Sequence, residues 1–275
     1  MRLRHFAKFS LSLILALALV QSVFGQKSYL DIKYPPLKPI KLPKVTRTVL
    51  PNGMIVLLVE DHELPLVEAS MRLGVGGVYD PADKVGLAAI TGEVIRSGGS
   101  IAHSGDEIDE ALEQVGAIVE VGIGRTSGYA TVSVLKEYTD LAFGILGDIL
   151  EYPAFPEDKI ELAKIEQRSA IARRNDDPME VIMREFTRLI YGPQSPYARQ
   201  PEYATIDRIS RADLVAFHRR FFHPNNAILG VWGDFKTDEM IAQLKRIFGG
   251  WQKVPFNRPS LPEVKYTFDY SVNYI

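Results

Sequence analysis

The 275-residue sequence contains no cysteine. Disulfide cross-links and thiolate metal sites are therefore excluded. A surplus of charge is lacking too. The formal net charge is −2 at pH 7, which leaves no electrostatic footprint for nucleic acid. No internal repeat and no low-complexity tract interrupts the chain. Beyond residue 25 no apolar run reaches the roughly 20 residues that a membrane-spanning helix needs. What remains is 46% hydrophobic and 24% charged, the composition of a globular protein with a sizeable core.

The first 25 residues are distinct. Arg2, Arg4 and Lys8 form a basic start, Leu11–Val20 is apolar, and Val23-Phe24-Gly25 precedes Gln26. This is the pattern of a secretory signal peptide over residues 1–25. The apolar run is too short for a bilayer span, so an exported protein, periplasmic or secreted, is expected. Residues 26–44 are rich in Pro and Lys and read as an extended lead-in.

Val45–Val75 reads as paired strands. Pro51-Asn52-Gly53 is a tight-turn signal before Met54–Val59, and Asp61-His62-Glu63 supplies a polar turn before Leu66–Val75. A helix is expected over Asp106–Val115, then a hairpin of Gly116–Ile123 with Tyr129–Leu135. Apolar residues from Tyr138 to Leu150 keep helical spacing. Helices over Pro156–Asn175 and Pro178–Tyr191 are separated by Asp176-Asp177-Pro178, a break or cap. The second of these should turn Met179, Ile182, Phe186 and Leu189 inward. Ser210 is a good N-cap for a helix to Phe221. A buried strand at Ala227–Gly233 and a helix at Thr237–Phe248 follow. Residues 252–263 fall in a Pro-rich linker. Residues 264–275 begin a strand-like segment that stops without a closing signal, as a truncated second domain would. The expected fold is α+β, an antiparallel or mixed sheet covered by helices.

Lys84–Ser100, KVGLAAITGEVIRSGGS, organises the functional question. Val85, Leu87, Ala88, Ile90, Val94 and Ile95 make it a buried helix, and Gly98-Gly99 ends it. Positions 89, 92 and 93 share one helix face. The blocks LPNGMIVLLVEDHELPLVEASMRLGVGGVYDP, KVGLAAITGEVIRSGG, ARRNDDPMEV and FHRRFFHPNNAILGVWGDF occur in this order. Together they resemble the pitrilysin/insulinase family of zinc metallopeptidases, closest to its mitochondrial-processing-peptidase-like branch. The resemblance covers Val45 to Trp251, the family's N-terminal α+β domain, a two-layer sandwich.

The resemblance implies a zinc helix reading G-L-A-H-x-x-E-H. This chain has Ala89 at the first ligand, Gly92 at the general base and Glu93 at the second ligand. The third ligand, 77 residues after the second by the family's spacing, falls on Ala170. A supporting acid seven residues before that falls on Ala163. A catalytic zinc needs about three protein ligands and a water, and Glu93 alone supplies one, so neither zinc nor another cofactor is expected. The family binds an extended substrate by strand addition. The matching edge strand is Val119, Glu120 and Val121, without the family's Asn-Ala.

The other histidines after residue 25 give no second metal site. His62 and His103 sit in isolated turns, and His218 and His223 are about 140° apart on a helix. The bland reading of Glu93 is a solvated or salt-bridged side chain.

Three readings follow from the resemblance. The first is a non-catalytic partner subunit for a zinc-bearing homologous subunit that processes peptides. There, an Arg and a Tyr assisting the partner would lie in the later domain. The second is a stand-alone periplasmic peptide-binding or scaffold protein. The third is a residual metallopeptidase using other ligands.

Overall fold

The structure, a computed structural model, describes residues 29–37, 39, 42–257, 259–261, 263, 264, 270, 272 and 274. The expected signal peptide lies outside them, as does most of the expected second-domain segment. Residues 1–42 and 43–275 form separate units. In the first, Tyr29–Asp31 is one turn of 3-10 helix, and the other described residues have no regular structure.

The second unit holds a six-stranded mixed sheet. Its strands are β1 (Thr46–Val49), β2 (Ile55–Glu60), β3 (Leu66–Leu73), β4 (Ile118–Ile123), β5 (Gly128–Leu135) and β6 (Ala227–Gly233). Their order across the sheet is β1-β2-β6-β3-β5-β4. The early strands are therefore not paired as expected. β2 runs parallel to β6, and β6 runs antiparallel to β3. The late strand enters between the two early ones, and the turn signal at Pro51-Asn52-Gly53 joins β1 to β2 instead. Asp61-His62-Glu63 thus spans a strand-wide gap.

Burial alternates along each long strand. Val67, Ala69, Met71 and Leu73 of β3 and Ala130, Val132 and Val134 of β5 point to one face and are buried. Glu68, Arg72, Thr131 and Ser133 face the other way. This period of two is what a sheet with one covered face requires.

The covering layer comprises α1 (Leu87–Ser97), α2 (Gly105–Val115), α3 (Thr139–Glu151), α4 (Glu157–Arg173), α5 (Pro178–Tyr191), α6 (Tyr203–Asp207), α7 (Arg211–Phe221) and α8 (Thr237–Phe248). Phe143, Phe221 and Phe248 are fully buried beneath it with Ile90 and Ile95 of α1. Caps fall where side chains allow them. Ser104 and Glu107 close a capping box on α2, Asp177 accepts from Met179 N at the start of α5, and Ser210 pairs with Asp213 on α7. No helix among the described residues is long and apolar enough to cross a membrane.

α5 departs from expectation. Its apolar residues do not face the core: no residue of the helix is buried. Met179, Ile182, Phe186 and Leu189 are each about half exposed or more. The short helix α6 was not legible in the sequence, being one turn long.

Asp80, itself buried, fixes the start of α1. It accepts hydrogen bonds from Gly86 N (2.9 Å) and Ala88 N (3.0 Å), two of the donors a helix leaves unpaired at its start. Gly86 there takes φ 108°, a left-handed conformation suited to glycine. Burial pushes the Asp80 carboxyl up to about 6 despite these bonds. Asp80→Ala leaves both amides unpaired and should lower unfolding stability by about 1–3 kcal/mol, read from the shift in urea midpoint at constant m-value.

Candidate functional site

The candidate site lies where α1 meets β4 and α4, both of which it packs against. Seven of the eleven residues of α1 are buried, so its position is set by packing on several sides. Ala89 and Glu93 are half-buried, Gly92 is buried, and Ala170 is exposed on α4.

Gly92 is pressed against the last residues of β4. A Cβ added there would stand 2.6 Å from Ile123 N and 3.0 Å from Gly122 C. Those are backbone atoms, so no side-chain rotation relieves the overlap. Any residue larger than glycine, glutamate included, requires α1 and β4 to move apart.

The edge of β4 can be read from the hydrogen bonds flanking it. Gly124 N donates to Ser127 O, and Lys136 N donates to Pro65 O. Alternation along the β4–β5 and β3–β5 registers then assigns the amides and carbonyls of 118, 120 and 122 to β5. Those of Val119, Val121 and Ile123 point to the outer edge. Arg96 of α1 donates from Nε to Val119 O (2.6 Å) and from Nη2 to Asp109 (2.6 Å), with Glu120 at 3.9 Å. The outer edge therefore has Arg96 at Val119 and the α1 backbone at Ile123.

Glu93 is half-buried and has no salt-bridge partner among the described residues. It faces another carboxyl, Glu166 of α4. Burial first, then the hydrogen bond and charge of Glu166, push its carboxyl up to about 7. The neighbouring carboxyl favours the neutral form of Glu93, because like charges oppose ionisation. Sequence reasoning missed Glu166, yet it lies one helical turn before Ala170 and so on the same side of α4. That spacing was the available signal.

Ala89, Gly92 and Ala170 carry no side-chain atom that could bind a metal. Among the described residues no group of three or more His, Cys, Asp or Glu side chains converges.

The histidines have other work. His218 is buried, its Nε2 2.8 Å from Leu150 O, and it stacks on Phe222. Burial draws its pKa down to about 4, so it is a neutral structural donor. His62 is not isolated: its Nδ1 lies 2.7 Å from Asp234 and its Nε2 3.6 Å from Glu60. His103 sits on an exposed turn.

Comparison with known proteins agrees with this architecture. Residues 55–192 match the family described as Insulinase (Peptidase family M16), and residues 208–273 match the Peptidase M16 inactive domain. The chain belongs to the M16 peptidase family. An uncharacterized zinc protease of Mycobacterium leprae is 28% identical over 227 residues, covering 81% of this chain and 50% of the relative. The non-peptidase homolog YmxG of Helicobacter pylori is 23% identical over 195 residues, covering 69% and 44%. The crystal structure of a peptidase M16 inactive domain from Pseudomonas fluorescens shares the fold. Its TM-score is 0.74 at 21% identity, over 81% of this chain and 54% of that one. The chain thus spans about half the length of the curated relatives it matches.

Two measurements probe the site. Gly→Ala within a helix ordinarily stabilises by about 1 kcal/mol. Gly92→Ala should do the opposite and destabilise by about 1–3 kcal/mol, measured by urea unfolding.

The second concerns pH. Glu93 has a folded pKa raised from 4.5 to about 7. Between those values the folded state holds a proton that the unfolded state has released, so this contribution is complete below about pH 4.5 and lost as pH rises through 7. Glu93→Gln removes the dependence. Its melting temperature relative to the parent chain should therefore climb from pH 5 to pH 8.

Proposed function

We propose that this protein is a non-catalytic partner subunit, serving a zinc-bearing homologue that carries out peptide processing, and that it binds no zinc itself. The observation that carries the reading is the contact at Gly92. The position aligned with the family's general base is in van der Waals contact with the β4 backbone. A Cβ at that position would overlap the β4 backbone.

The rest of the site supports the same reading. Ala89 and Ala170 offer no donor atoms, and Glu93 is committed to Glu166. Strand addition at Val119, Glu120 and Val121 would have to displace Arg96 from the Val119 carbonyl, so a peptide is held on the partner rather than at this edge. The basic and apolar N-terminal residues assign the chain to the periplasm or the exterior.

The test has two arms. Purified chain should carry zinc well below one equivalent by elemental analysis and cleave no peptide. The quadruple variant A89H/G92E/E93H/A170E restores the family's side chains but not the space for one of them, so it too should stay inactive. Chelator-sensitive hydrolysis by either would overturn the proposal. For the partner role, co-expression with an M16 homologue of the same organism that has an intact H-x-x-E-H helix should yield a co-purifying complex.

A further inference from the structure

An open cavity of about 630 Å³ lies between the end of α3, the length of α7 and residues 251–254. It shares no lining residue with α1, β4 or α4, so it is separate from the cleft described above. Its floor is apolar and aromatic. Phe155, Phe222 and Trp251 are at most 5% exposed, and the buried His218 stacks on Phe222. An apolar cavity of this size with a few fixed polar groups has the make-up of a ligand site.

α7 sets the polar groups out in a row. Arg211, Val215 and Arg219 are four residues apart, so they stand above one another on one side of the helix. Arg211 is held in place: its Nε donates to Phe155 O (2.8 Å) and its Nη2 to Ala154 O (3.0 Å). Both acceptors are neutral, so the guanidinium charge is uncompensated. Its other N–H donors have no acceptor among the described residues. The Arg219 side chain is exposed, with no hydrogen bond or ion pair among the described residues. Val215 lies half-buried between them. Against these two cations, one carboxyl lines the cavity among the described residues. It is Glu151, which accepts from the Tyr152 hydroxyl (2.6 Å).

The spacing defines the ligand. Along the helix the two arginines are separated by about 12 Å. A single phosphate or carboxylate is too small to engage both. An extended peptide rises about 3.3 Å per residue and turns every second side chain to one face. Carboxylates four residues apart on it stand about 13 Å apart, with one side chain between them on the same face. A helical ligand spanning both arginines has an envelope roughly twice the cavity. Arginine–carboxylate bonds are also the strong, directional kind.

We infer that this cavity binds an extended acidic peptide segment of the pattern acid-x-apolar-x-acid, with its carboxylates on Arg211 and Arg219 and its apolar side chain on Val215. The site goes beyond the partner reading and does not depend on it.

The experiment titrates the full chain with a capped heptapeptide. The peptide carries glutamate at its second and sixth positions, leucine at its fourth, and threonine, a strand former, on either side of the leucine. Calorimetry and the fluorescence of Trp251 report binding. The dissociation constant should lie below about 1 mM and rise as salt screens the charges. Arg219→Gln should weaken binding at least about tenfold at an unchanged melting temperature, because the side chain is exposed and unpaired. Arg219→Lys should keep most of the binding. A peptide with its two glutamates adjacent, at the same charge, should bind as weakly as one with glutamine at both positions. No binding at millimolar peptide overturns the inference. So does binding that ignores the glutamate spacing or survives Arg219→Gln. Displacement of the peptide by an equal concentration of inorganic phosphate shows a point-anion site and overturns it as well.

Discussion

The contact between α1 and β4 at Gly92 governs the functional half of the molecule. One missing Cβ lets a helix lie on the backbone of a strand, and the strand's last residues define how close it comes. The buried residues on the rest of α1 and the Asp80 bonds at its start hold it at that distance. A helix fixed on several sides cannot retreat to admit a longer side chain without losing packing elsewhere. The change at this position is therefore structural as well as chemical.

Charge inside this region has been reorganised around that closure. Arg96, at the far end of α1, binds the β4 backbone and Asp109 together. Glu93 faces Glu166, and burial together with that carboxyl raises its pKa to about 7. Each is a local solution to burial. A carboxyl that cannot find a positive partner is better neutral, and a strand carbonyl without a neighbouring strand still needs a donor.

Much of this was legible in the residues, and what was not has identifiable causes. The β4–β5 hairpin appears where turn residues put it because its two strands are near in sequence, and α3 and α8 appear where their apolar spacing put them. The insertion of β6 between β2 and β3 is a pairing over more than 150 residues, and no local pattern encodes strand order. For α5 the spacing correctly located the apolar side, yet periodicity cannot say whether anything covers it. At the site, the expectation that positions 89, 92 and 170 stand where the family has its metal ligands and base comes from motif alignment. The Gly92 contact and the Glu166 partner depend on how two helices and a strand meet in space. Even so, Glu166 stands on the same side of α4 as Ala170 and could have been named from that spacing.

Arg96 has one more consequence. An outermost strand offers its backbone to any passing chain, and proteins commonly blunt that invitation with charge or cover. In this fold the outer side of β4 would be open wherever no ligand lies along it. A guanidinium on the Val119 carbonyl and a helix lying on Ile123 cover part of a border that would otherwise be open to a second strand. The contacts that hold α1 on the sheet also shield its edge.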